Sequence, residues 1–121
     1  MTRKPDPTLD IMEPVRGYDS LQFVLKLAYE QAAIGKGKER HAGGRVFDLQ
    51  PIMTIPRTIG GIAGLGGLAY QVNKKTTEAV NMAARGECEA AQREMLGAIN
   101  YLAAAYLYTE SLKPQPEEQS K

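Results

Sequence analysis

The stretch that decides the fold is ECEAAQREMLGAINYLAAAYLYTESL, residues 87–112. Its apolar residues recur at three- and four-residue intervals, the period of an α-helix. The expected packing stripe consists of Ala91, Met95, Ala98, Ile99, Leu102, Ala105, Tyr106 and Thr109. Because Tyr101, Leu107 and Tyr108 lie off that stripe, this helix has more apolar surface than one neighbour can cover. We expect the excess surface to contact other subunits.

A second helical pattern precedes this stretch and covers residues 66–85. Gly86 lies between the two patterns and is a favourable helix C-terminus. Two long helices with so short a connection fold back on each other, so the sequence predicts an antiparallel helical hairpin. Asn100, within an apolar helix, is expected to set packing register rather than to bind ligand, and Lys74 and Lys75 are expected on a solvent-exposed face.

An N-terminal helix is predicted over residues 20–34, where Leu21, Val24, Leu25 and Ala28 form an apolar stripe. The region that follows is irregular. We expect a short apolar turn after Pro51 that Pro56 interrupts, because proline lacks an amide donor.

Glycines are concentrated in residues 60–67, so the chain there is expected either to bend sharply or to approach another backbone closely. The outer parts of the chain are rich in proline and charge. The predicted organisation is a flexible N-terminal arm over 1–17, a single helical-hairpin domain over 18–112 and a disordered tail over 113–121.

Composition favours an all-α protein that assembles as a homo-oligomer. Hydrophobic residues make up 43% of the 121 residues, but Trp is absent and alanine supplies much of that share. Alanine buries little area, and burial contributes only about 25 cal/mol per Å² of apolar surface, so a monomeric core would be thin.

Charge and cysteine content exclude several classes of function. The net charge of +1 does not provide the positive field of a duplex-DNA binder. A single cysteine, Cys88, and a single histidine, His41, do not provide a structural disulfide or a zinc site. No apolar run is long enough for a membrane span, and no signal peptide is evident. We therefore expect a protein without cofactor or membrane partner in a reducing, cytoplasmic setting.

Recognisable catalytic motifs are missing. The glycine segments match neither a dinucleotide-binding motif nor a P-loop. A MazG-like, metal-dependent nucleoside triphosphate pyrophosphohydrolase needs paired acids on two helices, whereas the second helix offers only Glu78. The sequence predicts a binding protein rather than an enzyme. A MazG-like enzyme and a structural or adaptor protein stay as alternatives.

The segment after the first helix is the candidate binding element. It holds Lys36, Lys38, Arg40 and His41 among glycines, so cations and exposed amides are available to an anion. Phe23 and Tyr29, on the preceding helix, are candidates for stacking on bases. Arg93 is a further candidate on the third helix. The competing interpretation of the segment is a solvated loop.

Four elements, taken in order, resemble a known family. They are Glu39-Arg-His41, Phe47-x-x-Gln-Pro-Ile52, Lys74-Lys-x-x-Glu-Ala79 and Leu96-Gly-Ala-Ile-Asn-Tyr-Leu-Ala-Ala-Ala105. The set resembles the helical-hairpin domain of phage anti-CBASS cyclic-nucleotide sponges and of the related Thoeris anti-defence sponges. The resemblance covers about residues 21–110.

The resemblance implies a homohexamer that sequesters cyclic di- or trinucleotide immune signals without cleaving them and so blocks host anti-phage defence. It implies pockets between subunits, in which an aromatic residue stacks on bases and Lys or Arg binds phosphate. The best-matching residues in this chain are Phe23 or Tyr29 for stacking and Lys36, Lys38 and Arg40 for phosphate, with Arg93 in a second pocket.

Overall fold

The computed structural model describes residues 15–34 and 46–114. In this part of the chain there are four α-helices, one 3₁₀ helix and no β-strand, which confirms the all-α prediction for these residues. The elements are α1 (Asp19–Ala33), a 3₁₀ helix (Phe47–Leu49), α2 (Pro51–Ile59), α3 (Gly61–Ala84) and α4 (Cys88–Glu110). Each of these described helices is too short or too polar to cross a lipid bilayer.

The connection between α3 and α4 is a glycine C-cap. Gly86 has φ 82°, a left-handed conformation that glycine adopts without strain. Its amide donates to the carbonyl of Ala83 at 2.9 Å, and the amide of Glu87 donates to the carbonyl of Met82 at 2.9 Å. This pair of bonds is the Schellman pattern, which satisfies carbonyls at the end of a helix. The predicted helix end at Gly86 is confirmed.

Contacts between α3 and α4 extend over much of both helices. Lys75 pairs with Glu94, and the hydroxyl of Tyr108 donates to the carbonyl of Gly61 at 2.8 Å. Small residues at the interface allow the two backbones to approach closely. Those buried there are Gly64 and Ala79 on α3 and Ala91, Ala98, Ala104 and Ala105 on α4.

The apolar core lies where α2 covers the α3–α4 pair. We call this set the core cluster, and it consists of Met53, Leu68, Ala104, Ala105 and Tyr108. Half-buried side chains pack around it, among them Phe47, Leu65 and Leu112. Met53 is the largest fully buried side chain, so the described core is small, as the alanine-rich composition predicts.

Helix α1 packs against α4. Its Ala28 is buried, and the carbonyl of Ala28 accepts a hydrogen bond from Nδ2 of Asn100 at 3.0 Å. Nε2 of Gln31 donates to the carbonyl of Arg93 at 3.2 Å. Asn100 therefore fixes the position of one helix on another, which confirms its predicted packing role.

Two predictions for residues 51–67 are wrong, one on where a helix begins and one on a segment expected to be a turn. Helix α3 begins at Gly61 and not at Gly66, so most of the glycine segment is helical. The chain bends at Gly60 and Gly61, which have φ of 81° and 59°. It approaches another backbone closely at Gly64, where a Cβ would lie 2.5 Å from the carbonyl oxygen of Pro56. The predicted short turn is the helix α2, which includes Pro56. Pro51 occupies its first turn, where the missing amide costs nothing, and this favours helix initiation.

The predicted packing face of α4 needs a correction as well. Met95, Leu102 and Tyr106 were expected to pack, yet they are exposed, whereas Ala104 and Tyr108 are buried. The close approach of α3 selects small residues, and bulky side chains of the predicted stripe are left outside. The predicted arm and tail fall mainly on residues 1–14 and 115–121, outside the described residues.

Candidate functional site

An open cleft lies between the helices and has a volume of about 720 Å³. Residues of α1, the 3₁₀ helix, α2, α3 and α4 all contribute to its walls. One wall is apolar and includes Ile52, Ile55 and Ile59 of α2. The opposite wall carries the polar and charged side chains that make the cleft a candidate binding site.

The polar wall comes mainly from one face of α4. Arg93, Gly97, Asn100 and Tyr101 all line the cleft, and their spacing places them on one side of a helix with 3.6 residues per turn. Gln71 and Lys75 of α3 have the same four-residue spacing and face them. The period of each helix therefore brings the polar groups of the two helices together.

Lys75 is half-buried in the cleft wall and is contacted by three residues of α4. Its Nζ lies 3.5 Å from Oε1 of Glu94 and 5.7 Å from the ring centroid of Tyr101. Its stem passes over Gly97, where a Cβ would lie 3.1 Å from Cδ of the lysine. The side chains of Lys75 and Glu94 are 23% and 26% exposed, so water screens this ion pair only in part. The prediction that Lys75 lies on a solvated face is wrong, whereas Lys74 is exposed as expected.

Arg93 provides the second cation of the cleft. The residue is exposed, and its guanidinium has no carboxylate partner among residues 15–34 and 46–114. Among the described residues, the charged side chains that line the cleft are Lys75, Arg93 and Glu94, two cations and one anion. An arginine without a carboxylate partner in this part of the chain offers its guanidinium for bidentate binding of a phosphate.

Aromatic and amide side chains complete the cleft. Phe47, Tyr70 and Tyr101 line it, and each offers a ring face or edge to a bound group. Gln31, Gln71 and Asn100 add amide groups, of which Nε2 of Gln31 and Nδ2 of Asn100 already donate to the carbonyls of Arg93 and Ala28. Cations, rings and amides together are the set of groups that phosphates and nucleobases require.

Of the predicted site residues that the structure describes, only one lines the cleft. Arg93 lines the cleft. Phe23 and Tyr29 of α1 are 61% and 69% exposed, and neither lines it. Lys36, Lys38, Arg40 and His41 lie outside the described residues.

Sequence reasoning missed most residues of the polar wall. Lys75, Gln71, Gln31 and Tyr101 were not chosen as binding residues, although the cleft brings them near Arg93. The available signal was the four-residue spacing of Gln71 and Lys75, together with that of Arg93, Gly97 and Tyr101. Apolar stripes on the same helices obscured that signal.

Groups that hold metals or act as nucleophiles are sparse where the structure is described. No cluster of three His, Cys, Asp or Glu side chains suited to a metal ion occurs within 15–34 and 46–114. Cys88 is exposed at the start of α4.

Comparisons of the chain with protein-family models, with curated proteins and with solved structures find no match.

Proposed function

We propose that this protein binds and sequesters a small phosphorylated signal, a cyclic di- or trinucleotide, without cleaving it. The observation that carries the proposal is the cleft of about 720 Å³, which holds two cations beside three aromatic side chains. Sites for small molecules typically measure about 300–1,000 Å³ and combine apolar walls with a few polar groups.

Each part of such a ligand has a matching group in the cleft. Arg93 and Lys75 supply the positive charge that a phosphodiester seeks. Phe47, Tyr70 and Tyr101 supply surfaces for bases, and stacking of one base contributes about 1–3 kcal/mol. The amide of Gln71 suits hydrogen bonds to base edges, and the side-chain oxygen of Asn100 can accept a further one.

The basic segment belongs to the same proposal. Residues 35–45 connect the end of α1 to the 3₁₀ helix, and both Ala32 before the segment and Phe47 after it line the cleft. The proposal therefore assigns Lys36, Lys38, Arg40 and His41 to phosphate binding. Phe23 and Tyr29 are assigned to stacking in a pocket that a second copy of the chain completes.

We also propose that α3 and α4 form an antiparallel hairpin that assembles into a homohexamer. The contacts of Lys75 with Glu94 and of Tyr108 with Gly61 support the hairpin. Large apolar side chains exposed on α1 and α4 support assembly, because contiguous apolar patches on soluble proteins mark interaction sites. They include Leu21, Phe23, Leu25, Leu102, Tyr106 and Leu107.

The biological setting follows from the resemblance to phage sponges. We propose that the protein acts in the cytoplasm of an infected bacterial cell, where it lowers the free concentration of an immune signal. Sequestration of this kind needs no cofactor and no turnover. Its capacity is set by the number of sites and by the affinity of each.

Calorimetric titration of the purified protein with a panel of cyclic di- and trinucleotides tests the proposal. We expect binding, and we expect Arg93→Ala to weaken it about ten- to hundred-fold, because a hydrogen bond to a charged group contributes about 1.5–3 kcal/mol. Arg85→Ala is the matched control, since Arg85 pairs with Glu87 and does not line the cleft. We expect no change in that variant.

Recovery of the ligand separates binding from the alternatives. Mass spectrometry after heat denaturation should find the intact cyclic nucleotide. Recovery of cleaved product, or pyrophosphate release from nucleoside triphosphates that a chelator suppresses, would indicate an enzyme. A monomer in light scattering that binds no nucleotide would favour an adaptor.

A further inference from the structure

The ion pair in the cleft wall has an unusual position for a structural salt bridge. Lys75 and Glu94 both line the cleft, so the carboxylate already occupies the place next to the ammonium that an anionic ligand would need. The other contacts of Lys75 do not neutralise it, since the ring of Tyr101 and the backbone at Gly97 carry no net charge. Glu94 is the anion that balances Lys75 in the absence of ligand.

We propose that Glu94 determines the affinity of the cleft by competing with the ligand for Lys75. In the free protein its carboxylate neutralises the ammonium, and a bound phosphate takes its place. The inference rests on the proposed function, and it deepens that function by assigning to Glu94 a role opposite to that of the cations beside it.

Partial burial makes this competition strong. The side chains of both partners are only about a quarter exposed, at 23% and 26%, so the pair has a lower effective dielectric than a surface pair. A phosphate that reaches Lys75 also comes close to the carboxylate, and like charges repel under the same weak screening. Removal of the negative charge of Glu94 should therefore favour every anion that binds at this point.

Lys75 has room to change partners. Its ammonium is 3.5 Å from the carboxylate oxygen, longer than the 2.7–2.9 Å typical of a charge-assisted hydrogen bond. Its stem rests on Gly97, where no side chain confines it. A phosphate oxygen at an ordinary hydrogen-bond distance would therefore bind the ammonium more closely than Glu94 does.

The test measures the affinity of Glu94→Gln for two probes, cyclic di-AMP and inorganic pyrophosphate. Glutamine keeps the size and the polar tip of the side chain and removes its charge. We expect the dissociation constant for each probe to fall about ten-fold. Glu89→Gln is the control, because it makes the same change in net charge on the same helix but is exposed and does not line the cleft. It should bind as the wild type does.

A double-mutant cycle shows whether the effect passes through Lys75. Lys75→Met keeps the apolar stem and removes the ammonium, and it should weaken binding about ten-fold. In the Lys75→Met variant, Glu94→Gln should change affinity by less than about three-fold, because the ammonium for which Glu94 and the ligand compete is absent. Lys74→Met, at the exposed neighbouring residue, should bind as the wild type does.

A second variant tests position without a change of charge. In Gly97→Ala the new Cβ would lie 3.1 Å from Cδ and 3.2 Å from Cε of Lys75, so the stem must move. We expect weaker binding of both probes. Far-UV circular dichroism of every variant checks that the helices are retained.

The outcomes separate this inference from the proposed function. Wild-type protein that binds cyclic di-AMP while Glu94→Gln binds it equally or more weakly overturns the inference alone, since Glu94 would then be neutral or would contact the ligand directly. Binding of pyrophosphate with the expected response, but of no cyclic nucleotide, overturns the proposed function and leaves the role of Glu94 intact. Wild-type protein that binds neither pyrophosphate nor any cyclic nucleotide of the panel ends both.

Discussion

Two regions of the α3–α4 pair differ in what surrounds them, although small residues bring the helices together in both. At the core cluster α2 covers the pair, and the neighbours are Met53, Leu68 and the ring of Tyr108. At the charged part of the cleft the two helices face open space, and the contacts between them are those of Lys75 with Glu94 and Tyr101. We therefore expect rigidity at the core cluster and, under the proposed function, ligand binding at the charged part.

One glycine in each region makes the contrast measurable. A Cβ on Gly64 would lie 2.5 Å from the carbonyl oxygen of Pro56 and 2.6 Å from the hydroxyl of Tyr108. The three atoms nearest to a Cβ on Gly97 would all belong to the side chain of Lys75, at 3.1–3.4 Å. Backbone and a buried ring cannot move aside cheaply, whereas the end of a lysine can.

The largest expected effect is that of Gly64→Ala. We expect it to lower the free energy of unfolding by about 2–4 kcal/mol, because the methyl group forces α2 and Tyr108 away from α3. Urea denaturation followed by circular dichroism measures the change. Gly66→Ala is the matched control on the same helix, since nothing lies within 4 Å of its Cβ position. The control should be more stable than the wild type by about 0.5–1 kcal/mol, as expected for alanine in place of glycine in a helix. Equal stability of the two variants would refute the assignment of the rigid region.

Gly97→Ala should have a smaller effect on stability. The helix gains from alanine by about 0.5–1 kcal/mol, and the displacement of the Lys75 stem offsets part of this gain. We expect the free energy of unfolding to stay within about 0.5 kcal/mol of the wild type in the same urea titration. A loss as large as that of Gly64→Ala would show that the charged part of the cleft is as tightly packed as the core cluster, and the comparison would fail.

Local sequence signals were sufficient to predict the bounds of α1 and α4 and the C-terminus of α3. α1 and α4 lie within two residues of their predicted bounds at each end, and Gly86 ends α3 as expected. These features depend on apolar period and on one glycine. Both can be read from a short window of sequence.

Features that depend on tertiary contact were missed. Gly64 lets α2 and Tyr108 pack against α3 where a side chain would otherwise stand, and a window around residues 60–67 does not contain that information. The packing face of α4 was assigned from its bulky residues, whereas the close approach of α3 selects alanines. Propensity is a weak guide wherever packing decides.

The candidate site was predicted only in part for the same reason. Arg93 was chosen as a polar residue off the main stripe, and it lines the cleft. Lys75 was assigned to solvent because its partner, Glu94, is 19 residues away on the next helix. An ion pair between helices depends on how the helices pack and leaves no local pattern.

The smallest expected effect concerns a second ion pair, Arg85 with Glu87. This pair is exposed to water, so its salt dependence is the reference for that of the half-buried pair in the cleft. Arg85 and Glu87 flank Gly86, and Nη2 of the arginine lies 3.0 Å from Oε1 of the glutamate. The hydrogen bond from Arg85, and then the attraction of its charge, hold the pKa of Glu87 below its ordinary value of 4.5. A lowered pKa in the folded state means that the contribution to stability is complete above pH 4.5 and is lost as the pH falls through the lowered value.

Glu87→Gln should therefore reduce the loss of unfolding free energy that the wild type shows on acidification from pH 6 to pH 3. Water and salt screen an exposed pair, so the difference should be slight and should diminish further in 0.5 M sodium chloride. Urea titrations across that pH range, with and without salt, measure it. Urea denaturation of Glu94→Gln at pH 6 alone, with and without salt, should show a difference from the wild type that salt reduces less, because water reaches that pair only in part. If salt reduced both differences equally, the pair in the cleft would behave as a surface pair, and the strong competition for Lys75 would lose its physical basis.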